Sequence, residues 1–209
     1  MAIEKDFFRQ VMGRFATGVT VVTTRSDKGL SGLTVNSFCS VSLDPLLVLV
    51  CVDLTSHTLS YIRESGIFAV NILTDQQEDF SRCFATSSEE RYTYFCHADF
   101  HVAATGSPIL DSSLAFIDTR VVAEYPGGDH VIFLGQVEAM GVGGLVAFAD
   151  ETGAERSNLL GNNGNIATED KAAPLAYYRG QYRHLARDYQ KPSLAPSRDE
   201  AVRRSRSDG

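Results

Sequence analysis

The pattern of apolar and polar positions changes at Pro45, and the change separates two predicted strands. The seven residues after Pro45, LLVLVCV, are all apolar, which predicts a strand buried on both faces. The preceding stretch, GLTVNSFCSVSLD, alternates small polar residues with apolar ones. In an extended chain two sets of side chains would face opposite ways: Val35, Cys39, Val41 and Leu43 on one side, and Thr34, Asn36, Ser40 and Ser42 on the other. We therefore expect one strand carrying a row of hydroxyls and an amide beside the most buried strand.

The same reading predicts short helices between strands. Phe7, Val11 and Phe15 recur at helical spacing and indicate an opening amphipathic helix that ends near Gly18. GVTVVTT then predicts a strand, and the polar turn RSDKG joins it to the polar strand as a hairpin. In SHTLSYIRESG, Ser56 is the expected N-cap and Gly66 ends the helix.

Later segments predict more strands and one further helix. IFAVNIL reads as a strand, and a capping box formed by Thr74 and Gln77 starts the next helix, DQQEDFSRCFA. AFIDTRVVAEY and HVIFLGQVEAM form a hairpin around PGGD, and alternation in the first of them puts Asp118, Arg120 and Glu124 on a wet face. PLAYYRGQYRHL reads as the last strand. The elements predict a closed, mainly antiparallel β-barrel with short helices at its edges.

Domain boundaries follow from the composition of the remaining segments. Residues 143–173 are rich in Gly, Asn and acidic residues and form either a functional excursion or a mobile insertion. Residues 190–209 carry Pro, Ser and charge with little to bury, which predicts a disordered tail after a single domain over residues 1–189.

Composition narrows the class of partner and the compartment. With 26 acidic and 19 basic residues the net charge is −7, which argues against an extended nucleic-acid backbone as partner. The charged N-terminus does not resemble a signal peptide, and no apolar run approaches the length of a membrane span. We expect a cytoplasmic protein whose four cysteines are reduced, packed thiols: Cys39, Cys51, Cys83 and Cys96.

Common catalytic signatures are absent from the sequence. It contains no GxSxG, no phosphate-binding GxxxxGK[ST] loop and no GxGxxG after a strand. Cys96, His97 and His101 have a spacing that a metal site can use, but HxxxH without a catalytic acid is a weak signal, and we expect ordinary surface histidines and no metal.

Ser56 and Thr58 are the remaining candidates, at the start of a helix directly after the buried strand. Free N–H groups at a helix N-terminus, with two hydroxyls added, suit a phosphate, whereas plain capping explains the same residues equally well. The polar row on the neighbouring strand would offer hydrogen bonds to a flat heterocycle in the same region.

Six segments occur in an order that resembles the short-chain flavin reductases of two-component flavin-dependent monooxygenases. They are GLTVNSFCSVSLDPLLVLVCVD, SHT, FAVNIL, SRCFA, GGDH and PLAYYRGQY, and together they extend from about Phe8 to about His184. The resemblance implies a split β-barrel that binds FMN or FAD, usually as a homodimer with the flavin near the subunit interface. It also implies hydride transfer from NADH or NADPH to the flavin, which then passes to a separate oxygenase.

The resemblance also implies site residues. Those matching the flavin-binding segments are Thr34, Val35, Asn36, Ser37, Ser40, Val41, Ser42, Cys51, Val52, Asp53, Ser56, Thr58, Phe84 and Ala85. Those matching the nicotinamide-nucleotide segments are Gly128, Asp129, His130 and Tyr177. His130 is the one residue expected to act in the reaction; without the resemblance it would be interpreted as a surface histidine. Cys51 lies in an apolar run and is expected to be inert.

Other functions of the same barrel remain open at this point. It could retain flavin permanently as an electron carrier or redox sensor, or act on a different substrate as a pyridoxine-phosphate oxidase type of enzyme. A non-enzymatic interaction domain is the third alternative.

Overall fold

The computed structural model describes residues 3–149 and 172–185. The predicted tail and most of the segment at residues 143–173 lie outside the described residues. The helices are α1 (Lys5–Met12), α2 (His57–Ser65), α3 (Glu78–Ala85) and α4 (Glu89–Tyr92). The strands are β1 (Thr17–Gly18), β2 (Thr20–Ser26), β3 (Gly29–Val35), β4 (Phe38–Leu43), β5 (Leu46–Asp53), β6 (Ile67–Ile72), β7 (Phe100–Val102), β8 (Pro108–Leu110), β9 (Ala115–Gly127), β10 (His130–Val142), β11 (Leu145–Phe148), β12 (Leu175–Tyr178) and β13 (Gln181–His184).

One eight-stranded antiparallel sheet forms the body of the domain. Its strand order is β3-β2-β6-β9-β10-β5-β4, with β11 added beside β10. Although β3 and β4 are consecutive along the chain, they occupy opposite ends of this order, so the sheet must curl to bring them near one another. No β3–β4 pairing occurs within the described ranges, which makes the barrel split. The antiparallel split barrel is confirmed, and the expectation of a fully closed barrel is wrong.

The polar stretch before Pro45 is two strands and not one. β3 pairs with β2, whereas β4 pairs with β5, and the chain leaves the sheet at Asn36 and Ser37 to pass between them. A register shift between Ser40 and Ser42 further breaks the predicted alternation. The polar residues of this stretch therefore lie at two places in the barrel.

A dense apolar core explains why these strands form. β5 and β10 contribute Val50, Val52 and Phe133, which are almost completely buried and pack with Phe68 of β6. Gly135 permits this packing, because a Cβ at that position would lie 2.6 Å from Cζ of Phe68. A second cluster between the barrel, α3 and β12 contains Phe84, Phe95 and Leu175.

α2 and the long hairpin form as predicted. Ser56 is the N-cap of α2 with extended backbone, and Gly66 ends the helix in the left-handed region at φ 67°. β9 and β10 pair along almost their whole length around the turn at Gly128 and Asp129. Of the predicted capping box before α3, the half in which Thr74 N–H donates to Gln77 Oε1 is present, at 3.1 Å.

Further predictions differ from the structure, including the start of α3, which is Glu78 and not Asp75. α1 ends at Met12, well before Gly18, and its apolar side chains are exposed. The last predicted strand is a hairpin, β12 and β13, because Arg179 and Gly180 adopt positive φ between them. Asp118 is fully buried and not on a wet face, since the loop between β7 and β8 covers it and Thr105 of that loop donates to it from both N–H and Oγ1.

The cysteines also differ from expectation. Cys83 and Cys96 form a disulfide, which joins α3 to the turn at Phe95–His97. The expectation of four reduced thiols is wrong for this pair, because the chain between them folds back and brings the two sulfurs together. Cys39 and Cys51 are free. No helix among the described residues has the length and apolarity to span a membrane.

Candidate functional site

The N-terminus of α2 presents hydrogen-bond donors that no described residue uses. Ser56 Oγ is buried, has no hydrogen-bond partner among the described residues, and does not cap its own helix. The backbone N–H groups of His57 and Thr58 donate to none of the described residues. Since buried polar groups are nearly always bonded, a donor cluster of this kind at the positive end of a helix suits an anion.

The hydroxyl of Thr58 is committed elsewhere. It is fully buried and lies 3.0 Å from Ser31 Oγ and 3.3 Å from the carbonyl oxygen of Gly32. The side chain points under α2 into β3, so its contact with a phosphate stays a prediction that these hydrogen bonds do not support. Thr58 offers an anion its N–H alone.

The GGDH turn lies directly beside the start of α2. His130 pairs with Asp53 in the β10–β5 register, and Leu54 N–H donates to the carbonyl oxygen of Asp129 at 3.0 Å. His130 Nδ1 lies 2.7 Å from Asp129 Oδ1, with the imidazole partly exposed. Gly128 has φ 76° and its Cα faces open space, so a ligand can approach the turn closely.

Hydrogen bonds keep the two carboxylates here ionised. The bond from His130 lowers the pKa of Asp129, and bonds from the hydroxyl and N–H of Thr55 lower the pKa of Asp53, with a smaller contribution from the charge of His130. Ionised carboxylates accept hydrogen bonds only, so this turn offers acceptors for hydroxyl groups such as those of a ribose.

A second cleft, at the end of β3 and beside β12, is lined by further residues that the sequence analysis predicted. A cavity of about 180 Å³ is lined by Val19, Thr34, Val35, Asn36, Ala85, Tyr177 and Tyr182. Asn36 Nδ2 donates to Thr17 Oγ1 at 3.3 Å, and Thr17 pairs with Tyr177. Tyr177 also borders two neighbouring clefts of about 510 and 580 Å³. The ring of Tyr177 is therefore central to a larger groove.

Ser37 connects this cleft to the start of α2. Its hydroxyl donates to the carbonyl oxygen of Cys51 at 2.9 Å and accepts from the Cys51 N–H at 3.3 Å. These contacts connect residues in a continuous series at one end of the barrel. We call this series the barrel-end strip, and it consists of Tyr177, Thr34–Ser37, Cys51–Asp53, Ser56 and residues 128–130. Apolar walls with a few convergent polar groups are typical of cofactor sites.

Several predicted flavin residues do not present their side chains to the strip. Ser40, Val41 and Ser42 lie along β4, which runs away from the Asp53 end of β5. Phe84 is fully buried against Phe95, at 5.1 Å between ring centroids, because it fills the second core cluster. Val52 is likewise a core residue, so its backbone alone reaches the strip. Burial raises the pKa of the Cys51 thiol, which agrees with an inert cysteine.

Sequence reasoning missed two residues beside the strip. Tyr182 lines the same cavity as Tyr177, and its Oη lies 2.8 Å from Ser81 Oγ. Arg91 is buried under β3, with only 7% of its surface exposed. Its neighbours Glu89, Glu90 and Tyr92 read as a solvated surface segment, so no local signal identifies it. Tyr182 was missed because the segment was predicted as one strand, in which Tyr177 and Tyr182 would face opposite ways, whereas the hairpin pairs them.

The three residues with metal-like spacing are not brought together. Cys96 is in the disulfide, His97 contacts Glu90 at 2.8 Å, and His101 contacts Asp111 at 2.7 Å. Within the part of the chain that the structure describes, no group of three potential ligands could hold a metal ion.

Known flavin reductases resemble this chain over most of its length. Residues 12–186 match the family described as the flavin reductase like domain. The reductase subunit HsaB of a flavin-dependent monooxygenase from Mycobacterium tuberculosis is 35% identical over 180 residues, covering 86% of this chain and 82% of HsaB. The NADH-dependent FMN reductase AsuE2 from Streptomyces nodosus subsp. asukaensis is 41% identical over 140 residues, covering 64% and 72% of the two chains.

Solved structures share the architecture. Flavin reductase PheA2 superposes with a TM-score of 0.70 at 34% identity, covering 88% of this chain and all of its own. The NADH:FAD oxidoreductase SgcE6 of Streptomyces globisporus C-1027, solved with NAD and FAD fragments, gives a TM-score of 0.70 at 29% identity, covering 89% of this chain and 95% of its own.

Proposed function

The chain belongs to the flavin reductase like family, and we propose that its barrel-end strip binds FMN or FAD for reduction by NADH or NADPH. The chain is an oxidoreductase, the reductase component that supplies reduced flavin to a partner monooxygenase. The observation that carries the site assignment is the unpartnered, buried hydroxyl of Ser56 at the start of α2.

The phosphate end of the flavin fits the first turn of α2. Ser56 Oγ and the N–H groups of His57 and Thr58 form three donors at the positive end of a nine-residue helix. Hydrogen bonds to a charged acceptor are stronger than those between neutral groups, about 1.5–3 kcal/mol each. The donor set therefore matches a phosphate in number and in charge.

The ring end of the flavin fits the cleft at Tyr177. Asn36 supplies an amide at the end of β3, and the hydroxyl of Thr34, which donates to the Ser81 carbonyl oxygen at 2.7 Å, can still accept a hydrogen bond. Val35, Ala85 and Tyr177 supply apolar surface for a flat ring. Ser37 lies between this cleft and α2, where its hydroxyl is fixed by Cys51. In this arrangement the ribityl chain follows the edge of the barrel along Ser37 and the end of β5.

The protein's part in the reaction is orientation. When both cofactors are bound, the nicotinamide supplies a hydride to the flavin, and no acid–base pair is required. The GGDH turn restrains the nucleotide from the side that the flavin leaves open, with Asp129 holding the imidazole of His130 through Nδ1. His130 Nε2 then faces the nucleotide as a hydrogen-bonding group. Restraint of this kind lowers the entropic part of the barrier.

Assembly and location belong to the same proposal. Exposed apolar side chains on α1 and β4, including Phe8 and Leu43, support a homodimer. A cytoplasmic location suits an enzyme that consumes reduced nicotinamide nucleotide, although disulfides are uncommon there.

Nicotinamide oxidation tests the proposal. Purified protein would be mixed with NADH or NADPH, each with FMN, FAD or no flavin, and the absorbance of the reduced nucleotide followed. We expect turnover that requires added flavin, because the flavin leaves as a product. Absence of oxidation in all four pairings would contradict the assignment, and a tightly bound flavin that never exchanges would favour an electron carrier.

A further inference from the structure

Arg91 carries a buried positive charge that no described carboxylate balances, and its guanidinium carbon lies 5.2 Å from the centroid of the Tyr92 ring. It belongs to the short helix α4 and forms no ion pair with any carboxylate in the described residues, although 93% of its surface is covered. Burial lowers the pKa of Arg91, yet a guanidinium stays charged in proteins. Its acidic neighbour Glu90 is bound to His97. A buried charge without a partner is costly unless a ligand supplies one.

The guanidinium points at the first turn of α2. Nε donates to the carbonyl oxygen of Gly32 at 2.8 Å, and Nη2 lies 3.4 Å from Thr58 Oγ1. Thr58 also contacts Ser31 and Gly32, so three segments meet beneath the helix start. Gly32 is required here, because a Cβ at that position would lie 2.9 Å from the ring of Phe84.

The hydrogen bonds from Arg91 to Gly32 and Thr58 do not by themselves require a charged side chain. A neutral donor would satisfy Gly32, and the hydroxyl of Thr58 already has Ser31 as a partner. What Arg91 adds is a positive charge that touches the first turn of α2 at Thr58 Oγ1, the turn that also carries the unused donors. A phosphate bound there would balance that charge, and the charge would strengthen its binding because the surroundings are poorly solvated.

We propose that Arg91 is a positioning residue for the flavin phosphate, acting through Thr58 and through its charge behind the first turn of α2. This inference rests on the proposed function. It predicts that the contribution of Arg91 depends on the phosphate and not on the rest of the flavin.

Riboflavin, which lacks the phosphate, separates this role from a structural one. Fluorescence titration would give the affinities of the wild type, Arg91→Gln and Arg63→Gln for FMN and for riboflavin. Gln keeps a donor for Gly32 but no charge. We expect Arg91→Gln to weaken FMN binding about tenfold or more and to leave riboflavin binding within about twofold, as for loss of one charge-assisted interaction. Arg63, on the exposed side of α2 and paired with Glu124, is the matched control and should change neither affinity.

Two results would overturn the inference. Equal loss of FMN and riboflavin affinity in Arg91→Gln would make Arg91 a structural tether, and unchanged FMN affinity would remove it from the site. If the Gln variant does not fold, Arg91→Met decides: methionine fills similar space without a charge, so FMN should weaken at least about threefold relative to riboflavin. An unchanged ratio would contradict the proposal.

Failure of the proposed function gives a different pattern. If the wild type binds FMN no more tightly than riboflavin, the phosphate site itself is wrong. If the wild type binds FMN more tightly than riboflavin and both Arg91 variants keep the same ratio of affinities, the phosphate site stands and only the role of Arg91 is wrong.

Discussion

Ser56 has the backbone of an N-cap but does not form the N-cap hydrogen bond. Its hydroxyl is buried and has no partner in the part of the chain that the structure describes, whereas most N-cap serines accept a hydrogen bond from an N–H of their own helix. The arrangement leaves donors free at the helix start for a ligand.

Replacing Ser56 with Ala should weaken FMN binding by about 1.5–3 kcal/mol, or about ten- to hundredfold, because one hydrogen bond to a charged group is lost. The ligand-free protein should unfold at the same or a higher urea concentration, since no bond within the protein disappears. Ser113→Ala is the matched control, as its hydroxyl is also buried and unpartnered among the described residues. Equal FMN affinity in the wild type and Ser56→Ala would mean that Ser56 does not bind the phosphate and is only the N-cap residue of α2.

His130→Ala should lower the efficiency with nicotinamide nucleotide about ten- to hundredfold, equivalent to about 1.4–2.7 kcal/mol, because the residue orients the nucleotide. Flavin affinity should not change. Stopped-flow reduction of bound flavin over a range of nucleotide concentrations measures both effects. His97→Ala, which removes another exposed histidine beside a carboxylate, is the control. Loss of all turnover at saturating nucleotide would instead indicate a general acid.

Elements with strong local signals were predictable from the sequence. α2 has Ser56 before it and Gly66 after it, and the β9–β10 hairpin has a glycine turn at its tip, so both were placed correctly. The polar stretch before Pro45 was not, because its division into β3 and β4 depends on which strands they pair with and not on local pattern. Alternation likewise misplaced Asp118, whose burial depends on the loop that covers it.

The burial of Asp118 predicts a pH dependence of stability. Burial raises the pKa of this carboxyl, with bonds from Thr105 opposing the shift, so folding favours the protonated form. The stabilisation is fully present below the ordinary pKa of 3.8 and is lost as the pH rises through the raised value.

Asp118→Asn imitates the protonated form, since its amide can accept from the Thr105 N–H and donate to Oγ1. We expect its unfolding free energy, relative to wild type, to increase as the pH rises from acid to neutral. Urea unfolding at several pH values measures this, with Asp79→Asn on the exposed face of α3 as the charge control. A difference that does not vary with pH would contradict the pKa direction.

At the scale of the whole molecule, the sequence predicted the barrel and the grouping of the strip residues. It did not predict Arg91, which packs behind the strip. Thr34, Asn36, Ser37 and Tyr177 come together as expected, because they fall on the ends of neighbouring strands. The burial of Arg91 could not be predicted, because its neighbours in the sequence are acidic and polar. Its neighbours in space are β3 and α2. The Cys83–Cys96 disulfide was missed for the same reason: no spacing rule reports that a loop folds back.

The edge strand β4 predicts the oligomeric state. Val41 is 48% exposed and Leu43 is 88% exposed, and an apolar sheet edge of this kind invites association unless it is covered. Light scattering should give twice the chain mass for the wild type and a smaller average mass for Leu43→Asp, because the charge cannot be buried in the interface. A monomeric wild type would contradict a homodimer.

A crystal structure of the protein with FMN tests the central claim most directly. We predict that the phosphate lies within hydrogen-bond distance of Ser56 Oγ and the N–H of Thr58, with the ring in the cleft bordered by Thr34, Asn36 and Tyr177. A phosphate bound away from the start of α2, or a ring outside that cleft, would contradict the account.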